Sequence, residues 1–234
     1  MNLKHVSFAG VDERTDIEKL QKIQEMYPFA EFGILTSYHW NENGNRYLNP
    51  ERISDFKSRG LNLSLHVYGS MTDDAHKYEG WDYINRFIGD NLRIFKRVQL
   101  NVSKRNKPFY SISPIINQEI IIQQKDAQHI DVFLESIRQW TNHMFRFSLL
   151  LDASGGNGID TPITVFDNKY MKVGYAGGIN PDNVGGKLFQ LTEHPTNQDF
   201  WIDMESGVRT DDWFDLNKVE KVCQIADRFF NQPN

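Results

Sequence analysis

The chain has 234 residues, a formal net charge of −5 and a sequence pI near 5.8, a balance that argues against a nucleic-acid or anionic-membrane surface. One cysteine, Cys223, leaves no partner for an intrachain disulfide and no basis for a cysteine-rich metal site. The start, MNLKHVSFAG, has no cleavable signal pattern and no apolar run reaches membrane-spanning length, so the expectation is a cytoplasmic protein.

Residues 1–234 suit a single domain with a real core, since 39% of them are hydrophobic and 13% aromatic. The first strand-like run is His5–Gly10. Thr15 and Glu18 then have capping-box spacing, and Ile17, Leu20 and Ile23 share one helix face. A second run, Ala30–Thr36, leads to Asn49-Pro50, an N-cap followed by a first-turn proline, with Ile53 and Phe56 beyond it. Leu61–Tyr68, Arg97–Val102 and Glu119–Gln124 read as three more strands. Ser103–Asn117, with two prolines, is irregular, and Asp126–Thr141 has helical spacing at Ile130, Phe133, Leu134 and Ile137. Phe147–Ala153, Lys172–Gly178 and Phe200–Ser206 complete eight strand candidates, with a glycine-rich loop at Ser154–Asn168. The last helix, Asp215–Phe230, carries Leu216, Val219, Val222, Ala226 and Phe229 on one face, and Cys223 on it reads as a buried structural thiol.

Most strand candidates are continuously apolar, as strands covered on both faces are. Strands alternating with helices imply parallel βαβ units, and eight of them imply an α/β fold closed into a single (β/α)8 TIM barrel. An open doubly wound sheet is the alternative.

In such a barrel the chemistry gathers at the C-terminal strand ends. That rule selects Asp12 after strand 1, Arg46 in the loop after strand 2, His66 on strand 3 and Gln99 and Asn101 on strand 4. Gln124 and Lys125 follow strand 5, and Asp152 and Ser154 follow strand 6. Gly177, Gly178 and Asn180 follow strand 7, while Asp203, Glu205, Ser206, Gly207 and Arg209 follow strand 8. The glycine-bearing ends GYAGGINPDNV and WIDMESGVR suit a phosphate, because glycine admits an anion close to the backbone and helix-start N–H groups point at it. The expected partner is therefore a phosphorylated small molecule. His39, His129, His143 and His194 are scattered without metal-ligand spacing. The loop aromatics Tyr38, His39 and Trp40 offer a surface on which a planar group could stack.

LLLDASGGNGI, AGGINPDNV and IDMESGVR resemble the last three strand ends of the phosphoribosylanthranilate isomerase family. VQLN resembles that family's fourth strand, and NRYLNPERI its arginine-bearing second loop. The resemblance implies a (β/α)8 barrel that performs an Amadori rearrangement without metal or organic cofactor. A carboxylic acid opens the sugar ring to a Schiff base, and a cysteine thiolate removes the C2′ proton. By the same resemblance Asp152 is the acid, Arg46 the ligand for the substrate carboxylate, and Asp203 a sugar contact. Gly177, Gly178, Ser206 and Gly207 form the phosphate cradle. Ala9 stands where the family has its cysteine, so Asp12, His66 and Glu205 become the candidate bases. Glu205 and Arg209 also depart from the family pattern, and they are expected to pair or to change the ligand chemistry. A sugar-phosphate epimerase or lyase, or a phosphate-binding barrel without catalysis, is the alternative.

Overall fold

The computed structural model describes residues 1–42, 44–75, 80–101, 118–125, 147–155, 157–167 and 171–230. Ser103–Asn117, the helix expected over Asp126–Thr141, and with it His129 and His143, lie outside the described residues. Eight strands form a closed parallel barrel: β1 (Asn2–Ala9), β2 (Ala30–Thr36), β3 (Leu63–Val67), β4 (Arg97–Leu100), β5 (Glu119–Gln124), β6 (Phe147–Asp152), β7 (Val173–Ala176) and β8 (Asp199–Met204). β8 pairs back onto β1 with Ser7 opposite Asp203, which closes the ring.

Alternation along each strand separates two environments. Val6, Phe8, Phe32, Ile34, Leu65, Val98, Ile120, Leu149, Tyr175, Phe200 and Ile202 join one large apolar cluster with the surrounding helices. The alternate residues are mostly polar, apart from a plug of Ile121, Leu150 and Trp201. Gly174 is needed beside that plug, because a Cβ there would sit 2.2 Å from the Trp201 ring. Below it, Arg97 forms a bidentate pair with Glu31, Nε to Oε2 at 2.8 Å and Nη2 to Oε1 at 2.7 Å. Burial opposes the charge on Glu31, yet the adjacent guanidinium wins and holds its carboxyl at about 2. Arg97 also lies 4.6 Å from the centre of the Trp201 ring, and His5 stacks on that ring at 5.5 Å. The N-terminal end of the barrel is thus sealed by a charge-paired layer.

The helices are α1 (Ile17–Met26), α2 (Ser70–Ala75), α3 (Gly80–Phe87), α4 (Val184–Thr192) and α5 (Leu216–Phe230). α1 is capped one residue later than its spacing suggests. Asp16 accepts from the Glu18 and Lys19 N–H groups at 2.9 and 3.0 Å, whereas the Thr15 hydroxyl turns back to Asp12 at 3.1 Å. Asn49 caps as expected, but the turn it opens, Pro50–Phe56, is a 3-10 helix, as are Trp40–Glu42 and Gly44–Arg46. A short hairpin, β9 (Arg209–Thr210) and β10 (Trp213–Phe214), precedes α5 and has no counterpart in the sequence expectations. Cys223 is buried on α5, where desolvation pushes its thiol up. Among the described residues no helix is long and apolar enough to cross a membrane.

Candidate active site

The C-terminal mouth of the barrel holds a cleft of about 540 Å³. Arg46, Tyr47, Tyr68, Gln99, Asn101, Gln123 and Asp152 line one part of it. Ser154, Gly155, Gly158, Gly177, Gly178, Asp203, Glu205, Ser206 and Gly207 line the rest. The loop after β2 and the ends of β4, β6, β7 and β8 therefore bring together eleven of the residues selected from sequence.

Three carboxyls line this cleft, Asp152 on β6, Asp203 on β8 and Glu205 just beyond β8. Asp152 is held firmly: its Oδ1 accepts from the Ser154 N–H at 3.1 Å and hydroxyl at 2.7 Å, and its Oδ2 accepts from Gln123 Nε2 at 2.8 Å. Asp203 is held differently. It is 7% exposed, and its Oδ1 meets no hydrogen-bond partner among the described residues. Burial is the main force pushing its carboxyl up to about 7; the Glu205 charge adds to the rise, while Ser7 and Arg97 oppose it. An acid that titrates near neutrality beside a second, fixed carboxyl is suited to proton transfer in both directions.

Glu205 pairs with Arg46, not with Arg209 as its position suggested. Arg46 Nη1 donates to Glu205 Oε1 at 2.8 Å and to Ser206 Oγ at 3.3 Å, and its Nε donates to Asp212 Oδ1 at 2.9 Å. The Tyr68 hydroxyl donates to the other Glu205 oxygen at 3.1 Å, and the Tyr47 ring meets Tyr68 edge-on at 5.7 Å. Burial and the Glu205 charge push Tyr47 up to about 12 and Tyr68 well above its usual range, so both phenols stay protonated.

Six of the selected residues, Asp12, His66, Gln124, Lys125, Asn180 and Arg209, do not line the cleft. The Asp12 carboxylate is fully occupied: it accepts from Phe214 N–H at 2.6 Å, Arg209 Nη2 at 2.8 Å, and Arg14 N–H and Thr15 Oγ1 at 3.1 Å. With four donors on a buried group, it is a poor acceptor for a substrate proton. Arg209 is its clamp. That side chain is 3% exposed, and it also donates to the Gly10 carbonyl at 2.6 Å and to the Asp212 carbonyl at 2.8 Å. His66 is a core histidine, 1% exposed, with Nε2 3.1 Å from Ser64 Oγ, and burial pushes its pKa down to about 4. Asn180 serves its own turn, its side chain accepting from Asp182 N–H and donating to the Gly178 carbonyl. Its backbone N–H is taken by Asn183 Oδ1 at 2.9 Å. Tyr38 and His39 are also outside the cleft, and Tyr38 binds Asp74 at 2.9 Å.

The glycine end is built by backbone packing. A Cβ on Gly178 would lie 2.2 Å from the Asp160 N–H nitrogen, at a φ of +64°. A Cβ on Gly207 would lie 1.9 Å from the Ile179 carbonyl oxygen. The loops after β6, β7 and β8 thus press together through glycine and expose main chain to the cleft. Gln123 was not among the selected residues, although its strand phase, two beyond Ile121, aims it inward; Gln124 has the opposite phase. Tyr47 was missed because a loop carries no phase.

Fold and site together define a (β/α)8 barrel with an acid-bearing cleft at its C-terminal mouth. A sequence model described as N-(5′-phosphoribosyl)anthranilate (PRA) isomerase matches residues 81–225. The chain belongs to that family. It is similar in fold to N-(5′-phosphoribosyl)anthranilate isomerase from Pyrococcus furiosus, with a TM-score of 0.57 and 14% identity over 96% of this chain and 98% of that one. No curated protein sequence matches the chain.

Proposed function

We propose that this barrel isomerises a phosphorylated ribosylamine by acid–base chemistry, with Asp152 as general acid and Asp203 as base. The observation that carries the reading is the convergence of these two carboxyls, from β6 and β8, on a cleft bounded on one side by the glycine- and serine-bearing loops after β6, β7 and β8. The phosphate rests against Gly177, Gly178, Ser206 and Gly207, where N–H groups are accessible to an anion without a side chain in the way. Asp152 gives its proton to the ring oxygen as the C1′–O bond breaks and the amine lone pair forms the iminium. The base takes the C2′ proton, and that electron pair flows through C1′ to nitrogen to give the enolamine, which tautomerises to the ketose.

Family membership supports the isomerase class, and the absence of a thiol at Ala9 requires a base from elsewhere. Asp12 is consumed by Arg209 and His66 is buried beneath the cleft, which leaves the β8 carboxyls. Of the two, Glu205 is committed to Arg46 and Tyr68. Asp203 keeps an oxygen without a partner.

The test uses the ribosylamine 5-phosphate formed from aniline and ribose 5-phosphate, with its conversion to the 1-amino-1-deoxyketose followed by carbon-13 NMR. The native protein converts it, and Asp152→Asn lowers turnover by about 10²–10⁴ while still binding ribose 5-phosphate. Unchanged turnover in Asp152→Asn contradicts the acid role. Ligand binding without conversion by the native protein would make this a phosphate-binding barrel without catalysis.

A further inference from the structure

We infer that Asp212, which does not line the cleft, is a positioning residue for the phosphate end of the site: it holds Arg46 so that the Ser206 hydroxyl is set to donate to the phosphate. The inference deepens the phosphosugar reading above and rests on it. Arg46 ends the short turn Gly44–Arg46 and reaches three side chains. Its Nε donates to Asp212 Oδ1 at 2.9 Å, and its Nη1 donates to Glu205 Oε1 at 2.8 Å and to Ser206 Oγ at 3.3 Å. A guanidinium held at Nη1 alone can pivot about that nitrogen. Held at Nε as well, it keeps one orientation, because the group is planar and rigid. Asp212 is itself anchored. Asp211 and Asp212 have φ of +50° and +59°, the left-handed pair that a two-residue hairpin turn needs, and Thr210 pairs with Trp213 across them. Arg209 Nη2 donates to the Asp212 carbonyl at 2.8 Å and to the Asn45 carbonyl, next to Arg46, at 3.3 Å. Arg209 is paired in turn with buried Asp12 at 2.8 Å. A buried ion pair thus fixes both the residue before Arg46 and the acceptor for its Nε.

The consequence falls on Ser206. A serine hydroxyl has one proton and two lone pairs. With Arg46 donating to its oxygen, the proton is left for an acceptor in the cleft that Ser206 lines. The donated bond also polarises the hydroxyl toward that acceptor. A hydroxyl oriented before the ligand arrives leaves less ordering to be done on binding. The side chains of Arg46 and Asp212 are 35% and 44% exposed, and ion pairs so exposed add little to folding stability. The effect of this pair therefore belongs to ligand binding and not to melting.

Two substitutions in the full chain decide the matter. Asp212→Gly removes the carboxylate, suits the left-handed φ and keeps the carbonyl that Arg209 binds. Asp212→Asn removes the charge but keeps an oxygen that can accept from Arg46 Nε. The substrate is the ribosylamine 5-phosphate formed from aniline. Asp212→Gly is expected to raise its KM, and the inhibition constant of inorganic phosphate, by about threefold or more, with kcat within about twofold of native. Asp212→Asn is expected to stay within about twofold of native in all three. In a Ser206→Ala background Asp212→Gly should change KM no further, since the hydroxyl it orients is gone. Native KM and native phosphate inhibition in Asp212→Gly overturn the inference. So does Asp212→Asn impaired as much as Asp212→Gly, or an Asp212→Gly effect undiminished in the Ser206→Ala background. Each of these leaves the phosphosugar reading intact. If the native protein binds ribose 5-phosphate without turnover, the same comparisons are decided on its dissociation constant. If it neither binds ribose 5-phosphate nor converts the ribosylamine, the phosphosugar reading fails and this inference falls with it.

Discussion

Asp203 separates this site from a simple arrangement of hydrogen-bonding groups. A carboxyl that is 7% exposed, with one oxygen unpartnered, holds its proton more tightly in the folded chain than in the unfolded one. The sign follows from linkage. Its contribution to stability is fully present below its unfolded value near 4 and is lost as pH rises through about 7. Asp203→Asn removes that dependence. Chemical denaturation at several pH values should show the native protein losing roughly 2–4 kcal/mol relative to the variant between pH 4 and pH 8. Turnover moves the other way, because a base must be charged: the rate rises with pH to a plateau above about 7 and falls by about 10²–10⁴ in the variant. A native rate that is flat from pH 5 to 8 contradicts the assignment. Asp152 could be found in the sequence because it ends an apolar run, whereas the special state of Asp203 could not. Its position was legible, but the burial and missing partner that raise its pKa are properties of the closed barrel.

At the scale of elements, the end of β1 is where Ala9 stands in place of the cysteine that the family resemblance implies. Ala9 is 1% exposed and lies outside the cleft, and the next carbonyl, that of Gly10, is bound by Arg209. Arg209 also holds Asp12, and Asp12 receives the Phe214 N–H, so the hairpin β9–β10 is fastened onto the mouth of β1. The strand end that carries Ala9 is therefore closed by Arg209 and the hairpin. Restoring the thiol alone is expected to do little: Ala9→Cys should leave the turnover of the ribosylamine phosphate within about threefold of the native rate. A gain of tenfold or more would show that the strand-1 end still reaches the substrate. The eight strands were readable because apolar runs and helix spacing alternate along the chain. The hairpin was not, since two-residue strands carry no periodicity, and Arg209 gave no sign that it reaches back across 199 positions to Gly10. The cap of α1 was misread by one residue because Thr15 and Asp16 are both good caps, and only the tertiary bond to Asp12 decides between them.

The whole molecule divides its polar residues by height along the barrel axis. At the N-terminal end Glu31 and Arg97 neutralise each other and support a plug built on Trp201, Ile121 and Leu150. Above the plug Asp152 and Asp203 face the cleft, which the glycine-bearing loops after β6, β7 and β8 border on one side. In the proposed function a phosphate occupies the glycine-bearing end of the cleft, and its sugar lies between β6 and β8. The direct test is a crystal structure of the protein soaked with ribose 5-phosphate. The phosphate should lie against Gly178, Ser206 and Gly207, with the pentose between Asp152 and Asp203. Phosphate bound elsewhere, or a sugar beyond the reach of both carboxyls, would contradict the account.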